Sequence, residues 1–402
     1  MLDIAPLSIC MFSNLFPPIV SGSSQFSYSL ARELIRRGNQ VTVITALVGN
    51  LPEFETIDGI SLHRLRALRL PQLPLAHNFQ YLTYTFTPSN YKQVRKIFEI
   101  SDFDIIHQQN HIFDTILTSS RISKQLNLPL VLTIHTEAQH TNSLYNFILT
   151  QLDKLARLVI VGKADAVISP DPVVQEYVRL RHDIKHSPLI PYGINVDEPN
   201  PDDIKEIRNK HSLNHSPVIL SLGHVHPLRD RIDLIQAMPT VLKKYPACRL
   251  IIVGEIYTQK PVELVADLNL RENVTFAGSI PHAQIPAYFA VSDMEIHTFN
   301  GSYPGPGIAS MEAMAFGLPV IITEIDSHFD FHHFQNWENV VMLPANRPEE
   351  MARTIIRLLD DDTLRNKIGF NAKQMIAENY SWNAVCSAHE ELYRHLIEQK
   401  FK

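Results

Sequence analysis

The chain has 402 residues, 45% of them apolar and 19% charged, with a formal net charge of -6, which is length enough for two or three domains with sizeable cores. That balance, with 19 Phe and 13 Tyr, excludes wholesale disorder, collagen-like repeats and a generally basic nucleic-acid binder. Cys10, Cys248 and Cys386 lie far apart with no CxxC spacing, so neither a disulfide framework nor a cysteine zinc cluster is expected and a reducing compartment fits. Asp3 precedes the first apolar stretch without any Lys or Arg, and Asn14, Pro17 and Pro18 interrupt it, which speaks against a signal peptide. No run reaches the ~18 apolar residues of a membrane span, so the expected location is cytoplasmic, with any membrane contact made from the surface.

In chain order, a buried strand is predicted over 6–11, a helix over 25–37 ended by Gly38, and a second strand over 40–45, together a βαβ unit. Further buried strands are predicted at 103–107, 128–135 and 166–169, with helix-length segments at 112–126 and 142–161 between them. A strand-like stretch at 189–192 then leads into the polar, Pro-rich residues 195–203, which read as an interdomain connection. A second alternation follows, with strands at 218–222, 248–254, 274–277, 294–299 and 319–323. Its helices are expected at 231–244, 262–269, 285–290 and 307–316, and the remainder is mostly helical. The expected fold class is α/β, two doubly wound parallel-sheet domains.

Charge is unevenly shared: residues 1–195 carry 17 basic and 15 acidic side chains, and residues 196–402 carry 19 and 27. Residues 60–98 hold no carboxylate, yet contain Arg64, Arg66, Arg69, Lys92, Arg95 and Lys96 among Phe79, Tyr81, Tyr84, Phe86 and Tyr91. That composition suits an anionic membrane surface, and equally a basic face with buried aromatics. The run Asp360-Asp361-Asp362 before Leu364 reads as an acidic helix N-terminus, and His328, His332 and His333 lack an accompanying ligand pattern, so no metal site is expected.

The residues richest in chemistry are Phe299-Asn300-Gly301-Ser302-Tyr303-Pro304-Gly305-Pro306-Gly307-Ile308-Ala309-Ser310-Met311-Glu312. A strand ends there in a Gly-containing loop that opens a helix, so unpaired first-turn amides and the positive end of the helix dipole converge on one point suited to an anion. Gly305 and Gly307 let backbone approach it, and Glu312 is placed to accept hydrogen bonds from ribose hydroxyls. Two glycines before a helix are also ordinary capping chemistry, so this string alone leaves both readings open.

The longer string, continuing through Ala313-Met314-Ala315-Phe316-Gly317-Leu318-Pro319-Val320, resembles the donor-site signature of retaining GT-B glycosyltransferases of the GT4 (group 1) type. The resemblance extends over most of the chain. Phe16-Pro17-Pro18-Ile19-Val20-Ser21-Gly22-Ser23 is similar to the family's first loop, and Arg37-Gly38-Asn39-Gln40-Val41 to its RGHEV string. Asp104-Ile105-Ile106-His107, Leu132-Thr133-Ile134-His135 and Ile190-Pro191-Tyr192-Gly193-Ile194 match further strings. So do Leu222-Gly223-His224 with Arg229, Ile252-Val253-Gly254-Glu255 and Val274-Thr275-Phe276-Ala277-Gly278.

The resemblance implies a GT-B fold, two Rossmann-like domains facing across a cleft. Residues 1–195 would bind the acceptor, 196–380 the nucleotide sugar, and 381–402 would form a C-terminal helix packing back toward the first domain. It implies transfer of a hexose-type sugar from a UDP- or GDP-linked donor to a lipid-linked or saccharide acceptor, with retention and without cofactor or metal, a helix N-terminus and cations holding the leaving diphosphate. His135 is the implied catalytic contact. Arg229, Arg231, Gly223, Gly278, Gly305, Gly307, Ile308 and Glu312 are the implied donor-site residues, and Gly22, Ser23 and His107 line the acceptor side. The sequence departs from the family in three places: Pro304 stands where a first glutamate is usual, His224 and Arg229 replace an arginine and a lysine, and Asp326-Ser327-His328-Phe329 replaces a Gly-rich turn. Pro304 keeps a non-catalytic nucleotide- or partner-binding subunit as an alternative, and a nucleotide-sugar epimerase stands as another because that chemistry also occurs on this fold.

Overall fold

A computed structural model describes residues 5–19, 21–69, 83–138, 142–229, 231–299, 307–323 and 332–401. The chain divides into two compact units, one made of Met1–Gly193 with Trp382–Lys402 and the other of Ile194–Ser381.

In the first unit the order is β1 (Ser8–Phe12), α1 (Gly22–Arg36), β2 (Gln40–Leu47), β3 (Phe54–Ile57), β4 (Ile60–Arg66), β5 (Leu68–Arg69), β6 (Thr83–Tyr84), α2 (Pro88–Ile100), β7 (Ile105–Gln109), α3 (Thr115–Leu126), β8 (Leu130–Thr133), α4 (Ser143–Ala156), β9 (Ala166–Ile168) and α5 (Pro172–His182). Seven strands form one sheet in the order β3-β4-β2-β1-β7-β8-β9, parallel except for the β3–β4 hairpin. Strands buried on both faces explain the apolar runs of β1 and β8, while β7 is buried throughout although His107, Gln108 and Gln109 are polar. Helix α1 starts with a reciprocal cap in which Ser21 Oγ accepts from Ser24 N and Ser24 Oγ accepts from Ser21 N, satisfying two donors that the helix itself leaves unpaired. The helix expected over 142–161 is α-helical to Ala156 and continues as a wider π turn over Arg157–Val161. The strand expected at 189–192 is a correction: only Leu189 bridges to Ser169, because Pro188 and Pro191 each remove a ladder donor.

The second unit contains α6 (Pro201–Lys210), β10 (Val218–Leu222), α7 (Ile232–Lys244), β11 (Arg249–Val253), α8 (Lys260–Asp267), β12 (Val274–Gly278), α9 (Ile285–Ala290), β13 (Met294–His297), α10 (Ile308–Phe316), β14 (Val320–Thr323), β15 (Val341–Leu343), α11 (Pro348–Asp360) and α12 (Asp362–Asn379). Its six strands are parallel in the order β12-β11-β10-β13-β14-β15, the arrangement of a dinucleotide-type doubly wound sheet. The acidic run divides its labour: Asp361 Oδ1 accepts from Leu364 N at 2.9 Å and caps α12, while Asp360 accepts from Lys244 Nζ and Tyr245 OH, both at 2.6 Å.

The last helix, α13 (Trp382–Phe401), belongs to the first unit. Its Val385, Cys386, Tyr393 and Leu396 share a core with Leu30, Leu34, Val41 and Ile105. Polar contacts fix the register: Arg37 pairs with Glu390 at 2.8 Å and Arg394 Nη2 donates to Ala5 O at 2.8 Å. All three cysteines are buried and free.

Candidate functional site

In a doubly wound sheet, ligands collect beyond the carboxyl ends of the strands at the point where strand order reverses. In the second unit that point lies between β10 and β13, which are neighbours in space but far apart in sequence, with Leu220 paired to Glu295. The chain leaves β10 at Gly223, with φ of 120°, a backbone conformation that a side chain resists. Behind it stands Gly254, where an added Cβ would lie 2.3 Å from the Gly223 carbonyl oxygen, so two backbone turns touch directly.

Helix α10 begins at the same edge. Gly307 is its N-cap in extended conformation, and among the described residues no side chain caps it, as suits a helix start whose leading amides point toward an anion. Ser310 in the first turn donates to Glu295 Oε2 at 3.1 Å, tying the helix start to β13. Glu312 lies one turn further in and accepts from His282 Nε2 at 3.0 Å; this hydrogen bond raises the His282 pKa. Ile308 is 52% exposed beside the cap. Gly305, Pro304 and Asp326 to Phe329 lie outside the described residues.

The two arginines after β10 divide. Arg231 is fully buried with φ of 65°; Nε donates to Ser221 Oγ at 2.8 Å, Nη1 to Arg229 O at 2.6 Å and Nη2 to Gly223 O at 3.0 Å. The expectation that Arg231 clamps a diphosphate is therefore corrected to a brace on the loop that presents Gly223, because its donors already serve backbone and hydroxyl oxygens. Arg229 is half-buried, with its guanidinium 4.6 Å from the Phe299 ring centroid and beside Gly223. Gly278 ends β12 with φ of 75° and accepts from Gly254 N at 2.8 Å, closing the same row of loops. Glu295 and His297 on β13 are both buried at this edge, and His297 Nδ1 lies 3.1 Å from Leu222 O. Sequence reasoning missed Glu295 and His282. A carboxylate inside the apolar strand Met294–His297 was the available signal, since a buried charge demands partners.

In the first unit, the exposed Gly22 and the half-buried Ser23 open α1, with Ser21 as cap. His135 follows β8. Its Nε2 lies 2.8 Å from Gln109 Oε1 and its Nδ1 3.0 Å from Tyr192 OH, so the neutral ring donates to the amide oxygen and accepts from the phenol. Burial, with smaller repulsion from His111 and His389, lowers its pKa to about 3. His107 departs from expectation: it is wholly buried, its Nε2 2.8 Å from Thr133 Oγ1 and its Nδ1 2.7 Å from Tyr393 OH. It is a core residue joining the sheet to α13, because it lies within β7 rather than beyond its end. Arg64 is likewise removed from the surface stretch: it is 1% exposed, ion-paired with Glu55, and donates from Nη1 to Pro52 O at 3.0 Å. Phe79 and Tyr81 lie outside the described residues.

Residues 20–198 match the glycosyltransferase family 4 domain, and residues 203–375 match the domain described as glycosyl transferases group 1. The chain belongs to the GT4-like, group 1 glycosyltransferases. This glycosyltransferase is 24% identical over 98% of its length to an uncharacterised glycosyltransferase of Methanocaldococcus jannaschii, covering 99% of that protein. It is 22% identical to the alpha-monoglucosyldiacylglycerol synthase of Acholeplasma laidlawii, with 98% and 99% of the two chains covered. Among solved structures it resembles HepE of Anabaena in complex with UDP, with a TM-score of 0.71 at 17% identity over 97% of this chain and 100% of that one. HepE is also solved with UDP-glucose, at a TM-score of 0.65. The likeness to HepE establishes the shared GT-B fold.

Proposed function

We propose that this glycosyltransferase moves a hexose from a UDP- or GDP-linked donor to a lipid-linked or saccharide acceptor, retaining the anomeric configuration and using no metal at the diphosphate. The observation that carries the donor assignment is the convergence of the uncapped α10 N-terminus, Gly223 and Arg229 on one sheet edge, with Glu312 one turn inside the helix. Departure of the nucleotide concentrates negative charge on its diphosphate. Fixed amide dipoles and the Arg229 cation stabilise that charge without reorganising when it forms. Glu312, already hydrogen-bonded to His282, accepts from the ribose hydroxyls. The comparison with HepE supports a uridine nucleotide, since that protein binds UDP and UDP-glucose. Gly278, Gly307 and Ile308 shape the same pocket, while Gly22, Ser23 and His135 serve the acceptor and transferred sugar.

A lipid-linked acceptor is supported by the A. laidlawii relative, named for a glucosyldiacylglycerol product, and by the outer face of α4. Leu144, Phe147 and Leu155, with Leu158 just beyond, are 64%, 62%, 52% and 71% exposed along one stripe, opposite the buried Leu149, Asp153 and Ala156. An apolar stripe with Lys154 and Arg157 beside it suits the interface of an anionic bilayer. No helix among the described residues is long and apolar enough to cross a membrane, so this reading has the chain meeting lipid from the surface.

The test is transfer itself. Purified protein incubated with each of UDP-glucose, UDP-galactose, UDP-N-acetylglucosamine and GDP-mannose, with diacylglycerol vesicles or free saccharides, is expected to yield one α-linked product in the presence of chelator. Isomerised donor without acceptor would instead identify an epimerase.

A further inference from the structure

Beyond the end of β7 three ligand-bearing side chains meet in the core of the first unit. His111 comes from the turn after β7, Asp153 from the inner face of α4 and His182 from the last turn of α5. Their exposures are 0%, 0% and 2%, and their donor atoms all lie within 4.8 Å of one another. His111 Nε2 and His182 Nε2 each stand 3.1 Å from the same oxygen, Asp153 Oδ1. Tyr177 OH lies 3.2 Å from His111 Nε2.

Hydrogen bonding alone does not account for this arrangement. His182 Nε2 approaches Oδ1 without the alignment of a hydrogen bond, and among the described residues neither its two nitrogens nor His111 Nδ1 has a hydrogen-bond partner. Buried polar atoms left unpaired cost roughly 1–3 kcal/mol each and mark places where an ion or water completes the structure. Zinc-class ions bind imidazole nitrogen and carboxylate oxygen at about 2.0–2.2 Å, which sets ligand-to-ligand edges of about 3.3 Å in a tetrahedron, close to the two 3.1 Å separations. The second carboxylate oxygen is held by Arg181 Nε at 3.4 Å, as expected when a monodentate ligand is oriented from outside the site.

We propose that His111, Asp153 and His182 bind one divalent transition-metal ion of the zinc class, with the Tyr177 hydroxyl at the fourth position. The ion staples β7, α4 and α5, fixing the helix that carries the exposed Leu144 and Phe147. It is structural and takes no part in the donor chemistry assigned to the second unit.

Cobalt(II) titration of the full, chelator-treated chain tests this without any mutation. The expected result is a visible d–d absorption band that saturates near one equivalent and is displaced by zinc. Zinc alone should raise the melting midpoint of the stripped protein by about 5 °C or more. Asp153→Asn and His182→Gln should each abolish the band. Absence of saturable cobalt absorption with a melting midpoint indifferent to zinc would overturn the proposal. So would a band that persists undiminished in both variants, since the ion would then be held elsewhere.

Discussion

His282 donates from Nε2 to Glu312 Oε1 across 3.0 Å, joining the turn before α9 to the helix that opens at Gly307. The histidine is largely exposed and the carboxylate 14% exposed, so the pair is wet on one side and anchored on the other. The Glu312 hydrogen bond lifts the His282 pKa above its ordinary 6.5, against the opposing effect of burial. A group whose folded pKa is raised contributes stability that is complete below the unfolded value and is lost as pH rises through the folded one. The melting midpoint of His282→Gln should therefore fall further below that of the unmodified protein at about pH 5.5 than at about pH 8.5. Equal differences at both pH values would remove the charged pair from the account.

Glu312 itself is expected to hold ribose. Replacing it with Ala should weaken UDP binding by about 1.5–3 kcal/mol, roughly 10- to 150-fold, the worth of hydrogen bonds to a charged acceptor. Glu312→Gln should recover part of that loss, because the amide oxygen still accepts. Calorimetry reads both; an Ala variant with unchanged affinity would refute the role.

Gly254→Ala should disturb the same site from behind. The new methyl would sit 2.3 Å from the Gly223 carbonyl oxygen, at a φ of 142° that side chains avoid, so the Gly223 turn has to move. We expect a loss of about 1–3 kcal/mol in urea denaturation together with weaker nucleotide binding. Gly278→Ala, where nothing lies within 4 Å of the added atom, should cost only the strain of its φ of 75°.

Tyr393→Phe removes the hydroxyl that lies 2.7 Å from His107 Nδ1 in a fully buried setting. His107 Nδ1 then keeps only the longer contact from Gln109 Nε2 at 3.3 Å, so the change should cost about 0.5–1.5 kcal/mol, the net worth of one hydrogen bond. Chemical denaturation followed by a probe in α13 should show it, with nucleotide affinity in the second unit unchanged.

Membrane contact separates two surfaces. Leu144→Asp with Phe147→Asp should reduce sedimentation with acidic liposomes severalfold, since it places charge on the exposed face of α4. Neutralising Arg66 and Arg69 should have a smaller effect, because Arg66 is already paired with Glu53 at 2.7 Å. Liposome binding equal to that of the unmodified protein in all variants would retire the membrane reading.

Most strands and helices were legible because their signals are local. Buried parallel strands are written as short apolar runs, and the α12 start as Asp361 three residues before the amide it accepts from, whereas the Ser21 cap lies ahead of the start expected at residue 25 and α5 with its Asp171 cap was not expected. The expected starts ran early by two residues at β1, where Pro6 precedes the strand, and by one at β14, where Pro319 does. The strand at 189–192 failed because apolar composition outweighed two prolines that cannot donate to a ladder.

By itself the sequence determined two doubly wound halves, a glycine-flanked helix start at Gly307 and Glu312 one turn within it, since periodicity, caps and family strings need only neighbouring residues. Tertiary structure alone decided that Arg231 braces a loop, that His107 is core, and that His111, Asp153 and His182 meet. The partners of His107 and of Asp153 lie tens to hundreds of residues away along the chain, and those of Arg231 lie within ten but meet it only through the path of the loop. Whether a histidine or arginine faces ligand or interior depends on what packs against it, and that is fixed by the fold as a whole.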